Sequence, residues 1–154
     1  MSKLVRYKID EIVEVKFERT DKENNFSLPG DECEVTLTLG IQIMPESSQI
    51  GFHFDITYFD KRDREKLLFY KAQSKFGIWD FPNTFEIKPD NSYDLPTDFL
   101  TQALSISIGA IRGMLIKLNE GTYLDKIYLP IFNPLDFINN LRQISGVQNQ
   151  AEKT

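Results

Sequence analysis

The sequence is poor in the residues that chemistry uses most often. Its 154 residues include one cysteine, one histidine and one tryptophan. Cys33 has no second cysteine to pair with, and its alternation with Val35 and Leu37 reads as a small side chain on an apolar strand face. His53 lies between Phe52 and Phe54 and shares a wet strand face with Asp55, where a general base would have no pocket. One His and one Cys on opposite sheet faces cannot converge on a metal. A glycine-rich phosphate loop is missing too, since Gly109 and Gly113 fall inside a helical pattern instead of between a strand and a helix. No cofactor or metal is expected, and the chain reads as a binding protein, not an enzyme.

Positive charge is also scarce. The formal net charge is -5, and no run of lysine and arginine offers a phosphate backbone an attractive surface, which argues against nucleic acid as a partner. Lys3, Arg6, Lys8 and Asp10 interrupt the first residues, so the apolar core of a signal peptide is not there. The longest uncharged helical run, Phe99 to Ile111, is too short to cross a bilayer. A cytoplasmic protein without membrane insertion is expected.

What the chain does have is one long amphipathic pattern. Asp94 is expected to cap it, with Pro96 in its first turn and Gly121 stopping it in a left-handed conformation. At about 100° per residue, Leu100, Ala103, Leu104, Ser107, Ile108, Ile111, Met114, Leu115 and Leu118 gather on one side, a natural cover for a sheet. The opposite side carries Ser105, Gly109 and Gly113 at four-residue spacing, flanked by Ile106, Arg112 and Ile116. Each mid-helix glycine costs about 1 kcal/mol relative to alanine. Two of them beside outward isoleucines point to a close-packed second subunit, against the plainer alternative of an ordinary surface.

Before the helix the chain reads as strands. Ile12 to Glu18 alternates Val13, Val15 and Phe17 against Glu14, Lys16 and Glu18. Cys33 to Ile43 and Ile50 to Tyr58 alternate cleanly, and Lys66 to Trp79 sets Leu68, Tyr70, Ala72, Phe76 and Ile78 against Phe69, Lys71, Gln73 and Lys75. In the polar loop Thr20 to Glu32, Phe26 and Leu28 either dock onto the body or contact something else. Thr84 to Lys88, bracketed by Pro82 and Pro89, reads as an edge or loop.

After Gly121 the run from Tyr123 to Phe132 is unusually apolar for a connection, so part of it is core and the rest can line an open groove. A second helix is expected from Asn133 to Gly146, with Pro134 in its first turn and Phe137, Ile138, Leu141 and Ile144 as its apolar stripe. The expected fold class is α+β. A four-stranded antiparallel sheet has one face covered by a long helix, followed by an extended connection and a short C-terminal helix, all in one domain over residues 1–146. Residues 147–154 are a polar tail.

The order of elements, with Arg112-Gly113, Leu129-Pro130, Asn133, Phe137 and Asn140-Leu141-Arg142-Gln143, resembles the SecB family of cytosolic export chaperones. Glu14, Phe17 and Glu18 are similar to that family's opening strand, and Phe69 departs from it where an acidic side chain is usual. The resemblance implies a homotetramer, a dimer of dimers whose long helices lie between sheets, which agrees with the helix flank of Ser105, Ile106, Gly109, Arg112, Gly113 and Ile116 read above as the oligomer interface. It also implies an ATP-independent molecular chaperone that holds unfolded or aggregation-prone polypeptides, serving protein export and transport or the protection of an antitoxin in a toxin-antitoxin pair. The implied client contacts are Phe26, Leu28, Tyr128, Phe132, Phe137 and Leu141, in grooves bordered by the first loop, the second strand, the connection and the second helix. Glu14, Glu18 and Leu67 match the positions that face the SecA translocation motor. The alternative is a non-chaperone oligomeric scaffold or adaptor that binds one folded partner through its exposed sheet face.

Overall fold

In a computed structural model, which describes residues 4–139, the apolar alternation produces four long strands. They are β1 (Tyr7–Arg19), β2 (Cys33–Met44), β3 (Gln49–Asp60) and β4 (Lys66–Ile78). All pair antiparallel, in the spatial order β1-β4-β3-β2. The hairpin of β2 and β3 runs without interruption from Cys33 opposite Asp60 to Met44 opposite Gln49. Its turn closes on Ser48, which takes a left-handed conformation at φ 57°.

Two strands depart from regular alternation. In β1 the register slips between Ile9 and Glu11 and again between Glu14 and Lys16, so Asp10 and Val15 are extra residues in the ladder. Such bulges break period-two alternation. Val15 is accordingly 51% exposed instead of facing inward beside Phe17. In β4 the slip opposite Tyr58 and Phe59 makes Leu67 the extra residue, and it turns into the core with Leu68.

A small unit follows β4: α1 (Phe81–Thr84), then β5 (Glu86–Ile87) paired with β6 (Tyr93–Asp94). Phe81, Phe85 and Tyr93 pack edge to face there, and Phe85 reaches Phe99 at 6.0 Å between ring centroids. The segment expected to be an edge or loop is thus a two-stranded hairpin of its own.

The long helix, α2, spans Thr97–Asn119. Its start differs from the sequence expectation: Asp94 pairs with Glu86 in β6, and Pro96 occupies the cap position with no side-chain bond. A residue before proline is driven out of the helical region, so a first turn begun at Asp94 and running through Leu95 is disfavoured. The stop is as expected, with Gly121 at φ 77°. Leu100, Ala103, Leu104, Ser107, Ile108, Ile111 and Leu115 are buried, and Met114 and Leu118 are partly so. With a mean hydropathy of 1.5, α2 is long and apolar enough to cross a bilayer by composition alone. Its apolar side is instead spent on the sheet.

Three contacts fix how α2 lies. Ser107 Oγ is 2.8 Å from both the Ala103 carbonyl and Ser74 Oγ, deep between helix and sheet. With the Ser107 proton given to the carbonyl, the Ser74 hydroxyl donates to Ser107. Tyr7 donates to Gln102 Oε1 at 2.7 Å, and Arg19 Nη1 donates to the Leu118 carbonyl at 3.1 Å, so β1 runs beside α2 and is tied to it at both ends. Helix and connection together bury the inward side chains of β3 and β4 completely, among them Phe52, Phe54, Ile56, Tyr58 and Tyr70. The inward row of β2, from Cys33 through Val35, Leu37, Leu39 and Ile41 to Ile43, packs against the same core but is only partly buried.

Candidate functional site

Part of the apolar surface left open lies on the connection and the start of the last helix, beside the partly buried inward row of β2. Residues 134–139 are helical, and Ile138 buries this segment in the main core. Just before it, Phe132 packs edge to face with Phe137 at 5.3 Å, both half-buried. Ile131 is 94% exposed and Tyr128 57%, whereas Leu129 between them is buried. The connection therefore alternates anchors with outward apolar side chains. Arg112 holds it in place, donating from Nε to the Leu129 carbonyl at 3.3 Å and from Nη2 to the Pro130 carbonyl at 3.0 Å.

The loop after β1 forms a second, separate cluster against the start of the connection. Phe26 stands edge to face on Tyr123 at 5.2 Å, with Lys22 Nζ 4.9 Å and Arg62 Cζ 5.7 Å from its ring centre. Tyr123 itself donates to the Thr20 carbonyl, and burial pushes its hydroxyl up to about 12. Leu28 packs against the core. Phe26 and Leu28 thus dock onto the body, and with Tyr123 and Ile127 they border a cleft of ≈ 350 Å³. Burial likewise raises the nearby Cys33 thiol to about 11, so it stays protonated at neutral pH.

Of the six client contacts expected from the sequence, five fall into two groups. Phe26 and Leu28 line the loop cleft, while Phe132 and Phe137 form one aromatic pair beside the exposed Tyr128. Leu141 lies outside the described residues. Ile131, Ile127 and the β2 row add apolar surface that the sequence expectation does not name. Ile131 belonged to the same apolar run, but nothing in that run's composition distinguishes the outward side chains from the anchored ones.

The motor-facing residues do not share a surface. Leu67 is 0% exposed, because the bulge that frees it from the β4 ladder turns it into the core. Glu14 pairs with Ala72 and Glu18 with Phe69, and residues directly opposite in a ladder point to the same side. Ala72 faces the helix, while Phe69 faces outward between Lys16 and Lys66. The bulge at Val15 therefore leaves Glu18 on the outer face and swings Glu14 to the helix side.

The outer flank of α2 is open in the single chain. Ser105, Gly109 and Gly113 are exposed, and a Cβ built on either glycine would meet nothing within 4 Å. Ile106 and Ile116 are 38% and 45% exposed, and Leu4, Ile9 and Val15 of the β1 edge also face solvent. Arg112 differs from its neighbours, since its guanidinium is engaged within the chain by the connection. On the outer sheet face, His53 Nε2 lies 3.1 Å from Gln42 Oε1.

No protein-family model matches the chain, and no curated protein matches it by sequence. Among solved structures, it is similar to a Mycobacterium tuberculosis SecB-like chaperone in complex with a ChAD peptide from the HigA1 antitoxin, with a TM-score of 0.54, 11% identity, and coverage of 82% of this chain and 91% of that one. A protein of unknown function from Streptococcus agalactiae matches at a TM-score of 0.39 and 9% identity, over 84% of this chain and 98% of that one. The fold is SecB-like.

Proposed function

We propose that this SecB-like chain is an ATP-independent chaperone that holds unfolded or aggregation-prone polypeptides along β2, the connection and the last helix. One observation carries the reading: the inward row of β2 is only partly buried although the inward row of β3 beside it is fully buried. A continuous row of Val35, Leu37, Leu39, Ile41 and Ile43 on an edge strand suits an extended apolar segment, which needs alternate side-chain contacts and main-chain bonds but no defined sequence. The mycobacterial neighbour, of the same fold, holds an antitoxin peptide. Protection of an antitoxin is therefore the role favoured here, ahead of delivery to the SecA motor, since Leu67 and Glu14 are turned away from the outer face. The reading involves no catalytic step and places the protein in the cytoplasm.

The open α2 flank and β1 edge support a self-associating form, a dimer or a dimer of dimers, with Ser105, Ile106, Gly109, Gly113 and Ile116 in the contact. The direct test is suppression of aggregation of a denatured client without ATP. Phe137→Asp and Ile131→Asp should each weaken protection while the far-ultraviolet circular dichroism stays that of the wild type. Full protection by both folded variants would remove the groove from the mechanism.

A further inference from the structure

A cleft of ≈ 510 Å³ is bordered by the start of β1, the turn between β2 and β3, and the end of β4. Its dominant side chain is Trp79, the chain's one tryptophan and 73% exposed. Exposure of an indole is common on a loose loop, but this backbone is fixed. The Trp79 N–H donates to the Arg6 carbonyl at 2.9 Å, and its own carbonyl accepts from Thr84 Oγ1 at 2.8 Å. The next residue, Asp80, is held in a left-handed conformation at φ 53°, as is Ser48 across the cleft at φ 57°. Strain of this kind persists only where the surroundings over-determine it, and it concentrates at binding sites.

The charges of the cleft are unequal in availability. Asp10 is turned inward: its carboxylate accepts from Gln49 Nε2 at 2.8 Å and pairs with Lys8 at 3.4 Å. It occupies the space above Gly77, where a Cβ would come within 2.6 Å of Oδ2. Its charge is thus spent within the protein. Arg6, exposed beside the indole, has no such internal partner among the described residues. An exposed indole next to an available guanidinium suits an anionic group attached to an apolar one.

We propose that this cleft is a second docking site, for a short acidic peptide segment in which an aromatic or aliphatic side chain lies on Trp79 and a neighbouring carboxylate pairs with Arg6. The inference is independent of the chaperone reading, because none of the groove residues takes part. It gives the molecule two sites with different tastes. The β2 row takes apolar chain of any sequence, and the Trp79 cleft takes a charged, specific segment.

Because Trp79 is the sole indole, its fluorescence reports the site directly. Two blocked decapeptides serve as probes, one carrying Phe among Asp and Glu and the other carrying Phe among Lys. The acidic peptide should give a saturable blue shift and the basic one none. Arg6→Ala should weaken the acidic peptide by roughly tenfold, as expected for loss of a charge-assisted pair. Anisotropy of a labelled acidic peptide should show binding lost in Trp79→Ala and kept in Phe137→Asp, with unchanged circular dichroism in all three variants. Equal binding of the two peptides, no spectral response, or full affinity in folded Arg6→Ala would overturn the proposal. Loss of binding in Phe137→Asp would do the same, by moving the peptide to the groove.

Discussion

Arg112→Met tests how the groove is held open. The substitution keeps the long aliphatic stem and removes the guanidinium, so the carbonyls of Leu129 and Pro130 lose their donors at 3.3 and 3.0 Å. Hydrogen bonds from a charged donor contribute about 1.5–3 kcal/mol each when buried. Arg112 is only half-buried, and water competes for both carbonyls, so the pair together is worth on the order of 1–3 kcal/mol. Leu129 remains as an apolar anchor, and burying one such side chain contributes about 1.5–3 kcal/mol, enough to keep the connection near its place. The loss is therefore local before it is global. Hydrogen exchange of residues 128–132 should accelerate by about 5- to 150-fold, which is 1–3 kcal/mol in opening free energy. The melting temperature should fall by a few degrees, at about 2–4 °C per kcal/mol for a chain of this size. Client affinity should fall with the exchange protection, because Tyr128, Ile131 and Phe132 lose their fixed spacing. Unchanged exchange through this segment, in a variant shown to be folded, would refute the clamp and return Arg112 to a role between subunits.

Other substitutions separate the remaining parts. Gly109→Leu should preserve or slightly raise the stability of the single chain, since the added side chain meets nothing and a mid-helix glycine costs about 1 kcal/mol, yet it should lower the solution mass measured by light scattering. A wild-type protein that is already monomeric would contradict the α2 contact. Ser107→Val strands the Ser74 hydroxyl, which is 0% exposed, and should cost about 1–3 kcal/mol in urea unfolding. Adding Ser74→Ala should recover part of that loss, and a purely additive pair would disprove the shared bond. Asp60 is 2% exposed and its carboxyl is held below the usual range by hydrogen bonds from Arg62, at 2.9 Å from Nε and 2.9 Å from Nη2. A depressed folded value means stability that is complete above the unfolded pKa, near 4, and is lost as the pH falls through the folded one. Asp60→Asn should therefore flatten the decline of melting temperature below about pH 4. An unchanged acid limb would rule Asp60 out as its source.

Periodicity carried most of the architecture and failed in identifiable places. The alternation of β2 and β3 is legible because their register is continuous, and the buried side of α2 because its 3.6-residue stripe meets a flat sheet. A bulge leaves no mark on composition. Val13, Val15 and Phe17 alternate perfectly in the sequence, but the residue inserted at Val15 turns it out and separates Glu14 from Glu18. The same local event hid Leu67. Phe26 is a different failure: its partner Tyr123 is remote in the chain, so only the fold could decide between docking and display. The candidate groove was legible as a region, through its excess of apolar residues. It was not legible by side chain, since anchoring by Leu129 and exposure of Ile131 depend on which carbonyls Arg112 reaches.

The partly buried row belongs to a strand that is zipped to its neighbour over its whole length. A floor of that kind has no hinge and cannot shut. On the chaperone reading proposed above, a guest resting on it would depart by outright dissociation or by being pulled away by a tighter competitor, its dwell time following from how much greasy surface it brings. Release would then need no fuel, and a guest that sticks too well would meet no means of refusal.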